Sequence, residues 1–136
     1  MRVETRLPGG LEVDAAVRGF TVRTDQPIEA GGSDAAPSPL ELFLASLATC
    51  GAYYALRFCR RRGIATEGMG LVVDAEKDSS GSRIESIRLT LDLPAGFPDK
   101  YREALQRAVD QCAVKRALED PPRIDTALRD PVSLVA

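Results

Sequence analysis

The stretch Ser38-Pro39-Leu40-Glu41-Leu42-Phe43-Leu44-Ala45-Ser46-Leu47-Ala48-Thr49-Cys50 decides how this chain is read. Ser38 is an N-cap type, Pro39 suits the first helical position, and Glu41 falls three residues after the cap. That is a capping box, in which the serine hydroxyl and the glutamate carboxylate each satisfy an orphan backbone N–H. From Leu40 to Phe58 the pattern is apolar nearly all round, which predicts a helix buried on most faces. Arg60, Arg61 and Arg62 fall in the last turn, where the helix dipole favours cations, and Gly63 is a natural stop. A helix over 39–62 would be about 36 Å long. A chain of 136 residues has little material to wrap such a rod, so the sequence points to a partner subunit.

On the N-terminal side the chain reads as short strands. Arg2–Leu7 and Leu11–Val17 flank a Pro8-Gly9-Gly10 turn, and Gly19–Thr24 alternates apolar Phe20 and Val22 with Thr21 and Arg23. Residues from Pro27 to Ala36 hold a Gly-Gly-Ser-Asp cluster and read as loop. On the C-terminal side, Gly70–Lys77 and Arg83–Leu93 are strands joined by the polar Asp78–Ser82 turn. Asp99 can cap a second helix with Leu105, Ala108, Val109 and Cys112 on one apolar stripe. Pro121-Pro122 ends it, and Ile124–Leu128 with Val132–Val135 can supply a last strand or two. The order β-β-β-α-β-β-α-β is an α+β fold with an antiparallel sheet, in a single domain over residues 1–136.

Composition excludes much chemistry. There is no histidine, which removes Ser-His-Asp and Cys-His sites, histidine-ligated zinc and any imidazole base. A net charge of −2 gives no footprint for nucleic acid. The N-terminus has no apolar signal segment, and the charge-free run Leu42–Leu56 is short for a bilayer span. The expectation is a soluble cytoplasmic protein with no membrane or nucleic-acid partner, no cofactor and no metal. Three cysteines, with no CxxC pair, fit a reducing compartment better than a disulfide scaffold.

Cys50 sits mid-helix on a face shared with Phe43, Leu47 and Tyr54. It reads either as a small buried hydrophobe or as a nucleophile. In the middle of its own helix it gains nothing from a helix N-terminus, so a nucleophile there would need an arginine from elsewhere. Cys112 lies on the second helix's stripe, and the two sulfurs meet if both helices pack through their apolar faces. Cys59, nine residues from Cys50, is half a turn out of phase and about 13 Å along the axis. That is beyond the roughly 7 Å a disulfide spans between Cα atoms, so Cys59 reads as structural filler. Arginine supplies fifteen of the eighteen cations, which makes Arg18, Arg23 and Arg57 the available partners for a thiolate.

The segment from Ala36 to Cys50 closely resembles the signature of the OsmC/Ohr superfamily, in which a proline-containing entry leads into an apolar helix carrying the reactive cysteine. Cys112-Ala113-Val114 and Ile124-Asp125 resemble its second-cysteine region. The resemblance implies an intertwined homodimer and a thiol peroxidase acting on small organic hydroperoxides. Cys50 would be peroxidatic and Cys112 resolving, and a dithiol would reopen the disulfide (a lipoyl protein in the Ohr branch). Those branches pair the cysteine with an arginine and a glutamate. Arg18 aligns best with the arginine, with Arg23 and Arg57 as alternatives. The family's glutamate directly follows the entry proline, where this chain has Leu40; Glu41 comes one place later, turned by about 100°. The second cysteine is followed by Ala113 in place of the usual proline. The alternative reading is a non-catalytic dimer that binds small molecules or senses redox state, with a cavity lined by Phe43, Leu47 and Tyr54.

Overall fold

The capping box forms as its residues dictate. In a computed structural model describing residues 1–131, the backbone N–H of Ser38 donates to Glu41 Oε2 at 2.7 Å, and the Glu41 N–H donates to Ser38 Oγ at 3.3 Å. The long helix, α1, runs Pro39–Arg61 from that point. Arg62 closes it, and Gly63 follows with φ 65°, the left-handed conformation that glycine adopts without cost.

Three strands precede α1: β1 (Val3–Gly9), β2 (Glu12–Val17) and β3 (Phe20–Thr24). They form one antiparallel sheet in the order β1-β2-β3. Arg18 and Gly19 make the two-residue link between β2 and β3, and Arg18 takes a left-handed φ of 54° there. After α1, β4 (Gly70–Lys77) and β5 (Ile84–Asp92) form a separate two-stranded antiparallel sheet. The single antiparallel sheet of the sequence reading is therefore two sheets within one chain. The long helix lies between the strand groups in sequence, and among the described residues no strand pairing joins one group to the other.

The core sits where α1 meets β4, β5 and the second helix, α2 (Arg102–Val109). Leu47, Gly51, Ala55, Phe58 and Cys59 are the buried residues of α1, a single stripe at three- and four-residue spacing. Gly51 makes the close approach possible: a Cβ there would lie 2.9 Å from Leu71 Cδ1. The expectation of a helix buried on most faces is not met within one chain, since Leu40 and Tyr53 remain 45% and 54% exposed. By length and composition α1 is also apolar enough to cross a membrane, although one of its faces is the core described here.

Two further expectations change. The second helix does not continue through Cys112; α2 stops at Val109, and a third helix, α3 (Ala113–Glu119), begins beyond Cys112. The Gln111 and Cys112 N–H groups donate three residues back, to Ala108 and Val109, which tightens the turn and re-aims the chain. Cys112 becomes the N-cap of α3, its sulfur accepting from the Lys115 N–H at 3.5 Å. Ile124–Leu128 forms no strand, and Ile124 and Leu128 are almost fully exposed. A strand needs an edge to bond to, and residues 123–131 pair with none among the described residues. Val132–Val135 lies outside the described residues.

Much apolar surface is left open. The chain exposes 10759 Å², against about 6,900 Å² for a compact monomer of its mass. Every residue of β1 is exposed. Across that sheet Val3, Val17 and Phe20 pair in one row and Thr5, Ala15 and Val22 in another, an apolar face with α1 not packed extensively upon it.

Candidate active site

The break between α2 and α3 brings together what the sequence left apart. Here Cys112 and the backbone N–H groups of Val114 and Ala113 come near enough to the Cys50 sulfur to favour its thiolate. Burial alone would push the Cys50 thiol up; Cys112, then Val114 and Ala113, outweigh it and hold Cys50 below the ordinary thiol range. Cys112 is fully buried, and burial, followed by the nearness of Cys50, raises its own thiol. The two thiols are thus shifted in opposite directions, Cys50 down and Cys112 up. Both are free thiols in this structure.

This arrangement revises the view that Cys50 lacks help from a helix N-terminus. The help comes from another helix, whose first N–H groups are left unbonded by the helix itself. Sequence reasoning missed it because cysteine is not a customary N-cap residue, so no residue announced the break at Cys112.

The other candidates are placed as follows. No guanidinium is among the described groups that act on Cys50. Arg18, at the β2–β3 link, lies with its guanidinium carbon 5.1 Å from the Phe20 ring centre. Arg23 is held by Glu12 at 3.3 Å and Asp14 at 4.0 Å. Arg57 is exposed on α1. Glu41 is held by the capping box, and the Ser38 N–H and hydroxyl lower its carboxyl; it stands about 13 Å along the helix from Cys50. Leu47 is in the core at 1% exposure, Phe43 is half-buried, and Tyr54 lines a recess between α1 and α2. Cys59 is fully buried, its sulfur 4.0 Å from that of Met69, and burial raises its thiol.

A residue that sequence reading passed over is Asp25, 1% exposed just after β3. Its carboxylate accepts from the N–H groups of Gln26 at 2.7 Å, Ser33 at 3.0 Å and Ala35 at 3.1 Å. These bonds shape the loop that delivers the chain to Ser38. Only glycine fits at position 32, where a Cβ would lie 1.9 Å from the Gln26 carbonyl oxygen.

A long central helix bearing Cys50, with Cys112 capping the helix that meets it and Cys59 buried apart in the core, defines a protein with a candidate cysteine pair on an α+β frame. The family model described as OsmC-like protein matches residues 31–127, most of the chain, and the protein belongs to that family. Among solved structures it is similar to a Psychrobacter arcticus protein assigned to the osmotic-stress-induced and detoxification response (20% identity, TM-score 0.74, 85% of each chain covered). It is similar also to an OsmC-like protein from Mycoplasma pneumoniae (16%, TM-score 0.71, 88% of this chain and 87% of that one). A third is an organic hydroperoxide resistance protein from Legionella pneumophila (18%, TM-score 0.57, 86% and 87%). At these identities the likeness concerns the fold. No curated protein matches the sequence significantly.

Proposed function

We propose that this protein is a thiol-dependent peroxidase that reduces small organic hydroperoxides, with Cys50 as the attacking and Cys112 as the resolving residue. The observation that carries the reading is the break after Val109, which seats Cys112 as the N-cap of α3 and sets it, with the first N–H groups of that helix, where they lower the Cys50 thiol. It favours the Cys50 thiolate without histidine and sets the second thiol beside the first.

In the first step the Cys50 thiolate attacks the terminal peroxide oxygen. An S–O bond forms, the O–O bond breaks, and the leaving alkoxide takes a proton to become the alcohol. Cys50 is then a sulfenic acid. The Cys112 sulfur attacks it, forming the disulfide as hydroxide departs and leaves as water with the Cys112 proton. An external dithiol then reopens the disulfide by exchange, itself becoming a disulfide; a lipoyl protein fits that role. Arg18, or else Arg23 or Arg57, would supply the cation beside Cys50, and Glu41 its carboxylate. The hydroperoxide resistance named for the Legionella relative is consistent with this chemistry.

The working form in this proposal is a homodimer. The open surface of the single chain, the uncovered row Val3, Val17 and Phe20, and the half-covered α1 support a second copy laid across them. Two such chains carry a joint surplus of about 7,700 Å² over compact monomers, more than the roughly 2,000–5,000 Å² that an obligate dimer buries in all. In such a dimer the cation could arrive from the partner chain. The second reading, a non-catalytic binding or redox-sensing dimer, is favoured by Leu40 at the carboxylate position and by the lack of a guanidinium among the described groups acting on Cys50.

Stopped-flow oxidation of the reduced protein by cumene hydroperoxide and by H₂O₂, with free thiols counted afterwards, separates the two. Fast loss of two thiols with the organic peroxide, abolished in Cys50→Ser and reduced to one thiol in Cys112→Ser, is the expected result. Reaction no faster than that of a free thiol would leave the binding module.

A further inference from the structure

We propose that the groove between the C-terminal half of α1 and the face of α2 is a binding site for a small phosphorylated anion. This inference goes beyond the peroxidase reading: of its arginines only Arg57 is also a candidate cation there, and Arg61, Arg62 and Arg107 take no part in that chemistry.

The groove encloses about 470 Å³ and carries Arg57, Arg61 and Arg62 from α1 and Arg107 from α2 on its walls, with no carboxylate among its lining residues. In a chain of net charge −2, four guanidiniums around one recess are a local reversal of sign. Cations at the end of a helix suit its dipole, which accounts for Arg61 and Arg62. It does not account for Arg57, a further turn inside, or for Arg107 on the neighbouring helix. Arg57 and Arg61 are four residues apart on one face, where like charges repel, and α1 offers no acid to relieve them, Glu41 being its only one. Neither has an ion-pair partner among the described residues, while Arg107 reaches Glu103 only at 3.6 Å between exposed groups.

The remaining parts of the groove suit an occupant of moderate size. Ala104 and Ala108 keep its floor shallow and apolar beside Phe58. Arg62 is fixed over that floor, 3.7 Å from the Phe58 ring centre and 5.6 Å from that of Tyr101, so one guanidinium is set in place before any ligand arrives. A volume of this size is within the range of small-molecule sites. The planar guanidinium fork matches phosphate oxygens two at a time, and several forks around one recess match a diphosphate better than a single carboxylate. The apolar floor would take the organic part of a phosphate ester. Tyr54 and Gln111 complete the lining and add polar side chains beside the arginines.

The test is isothermal titration of the full-length protein at low ionic strength with inorganic pyrophosphate, and in parallel with inorganic phosphate. Saturable binding of pyrophosphate, tighter than phosphate, is expected. Arg57→Ala with Arg61→Ala should weaken it by about tenfold or more, and Arg107→Gln, placed on the other helix, should weaken it independently. Arg83→Ala with Arg88→Ala, equal in charge but just before and within β5, should leave it near the wild-type value. Circular dichroism identifies any variant that fails to fold, and the α2 variant then stands in for the α1 pair. No saturable binding to the wild type, or equal weakening by the β5 control, would overturn the proposal. So would tighter binding of polyglutamate than of pyrophosphate, which would assign the groove to an acidic protein surface.

Discussion

At Cys50 burial and hydrogen bonding act in opposite directions, and the balance depends on a single side chain. Replacing Cys112 by alanine removes the foremost of the groups that favour the Cys50 thiolate and leaves burial less opposed. The pH profile of Cys50 alkylation by iodoacetamide should then shift to higher pH in Cys112→Ala. A profile that stays in place would mean that the two backbone N–H groups suffice. Asp25 is a second residue whose charge matters. Its carboxyl lies below the ordinary aspartate value chiefly through the Ala35 N–H, with those of Gln26 and Ser33 adding to it against the opposing effect of burial. A lowered folded-state pKa contributes stability that is present above the unfolded value and is lost as pH falls through the folded one. Asp25→Asn should therefore melt lower than wild type at neutral pH, and the gap should narrow in acid. Thermal melts at the two pH values check both signs.

Among the elements, α1 combines strong local signals with a packing constraint that no local signal shows. Ser38→Ala should cost about 1 kcal/mol through loss of the cap, read from urea unfolding. Glu41→Gln keeps an acceptor for the Ser38 N–H and lies two to three turns from Cys50. If Glu41 acts only as a cap, the variant should leave the Cys50 oxidation rate within about twofold of wild type, whereas a larger loss would establish Glu41 as the carboxylate of the site. Gly51 is where packing outweighs propensity. A glycine inside a helix is unfavourable by itself, but a larger side chain there meets Leu71, with Val109 and Leu89 close behind. Gly51→Val should destabilise by about 1–3 kcal/mol, as overpacking does. A more stable Gly51→Val would show that α1 and β4 can separate freely.

For the whole molecule the question is what covers the first sheet. Phe20, 62% exposed beside Val17 and Val3, is the residue by which a second copy would be tested. Phe20→Asp should move the protein from dimer toward monomer in sedimentation velocity, with a lower melting temperature at the lower concentration. A wild type that sediments as a stable monomer would remove the dimer from the proposed function.

The sequence by itself determined the elements whose signals are local. The capping box set the start of α1 and Gly63 its end; period-two alternation marked β3, β4 and β5; of the stripe Leu105, Ala108, Val109 and Cys112, all but the half-buried Ala108 are in fact buried. Those effects act within a few residues and so can be read from neighbours in the chain. The candidate site was legible only as two cysteines on apolar faces. Their meeting depends on a break after Val109 that no turn residue signals, and on N–H groups from a helix remote in sequence from Cys50. The division into two sheets, the unpaired stretch at Ile124–Leu128 and the arginine-lined groove were likewise decided by tertiary structure. Each depends on which distant surfaces meet, and burial, edge pairing and charge clustering are properties of that meeting and not of any one segment.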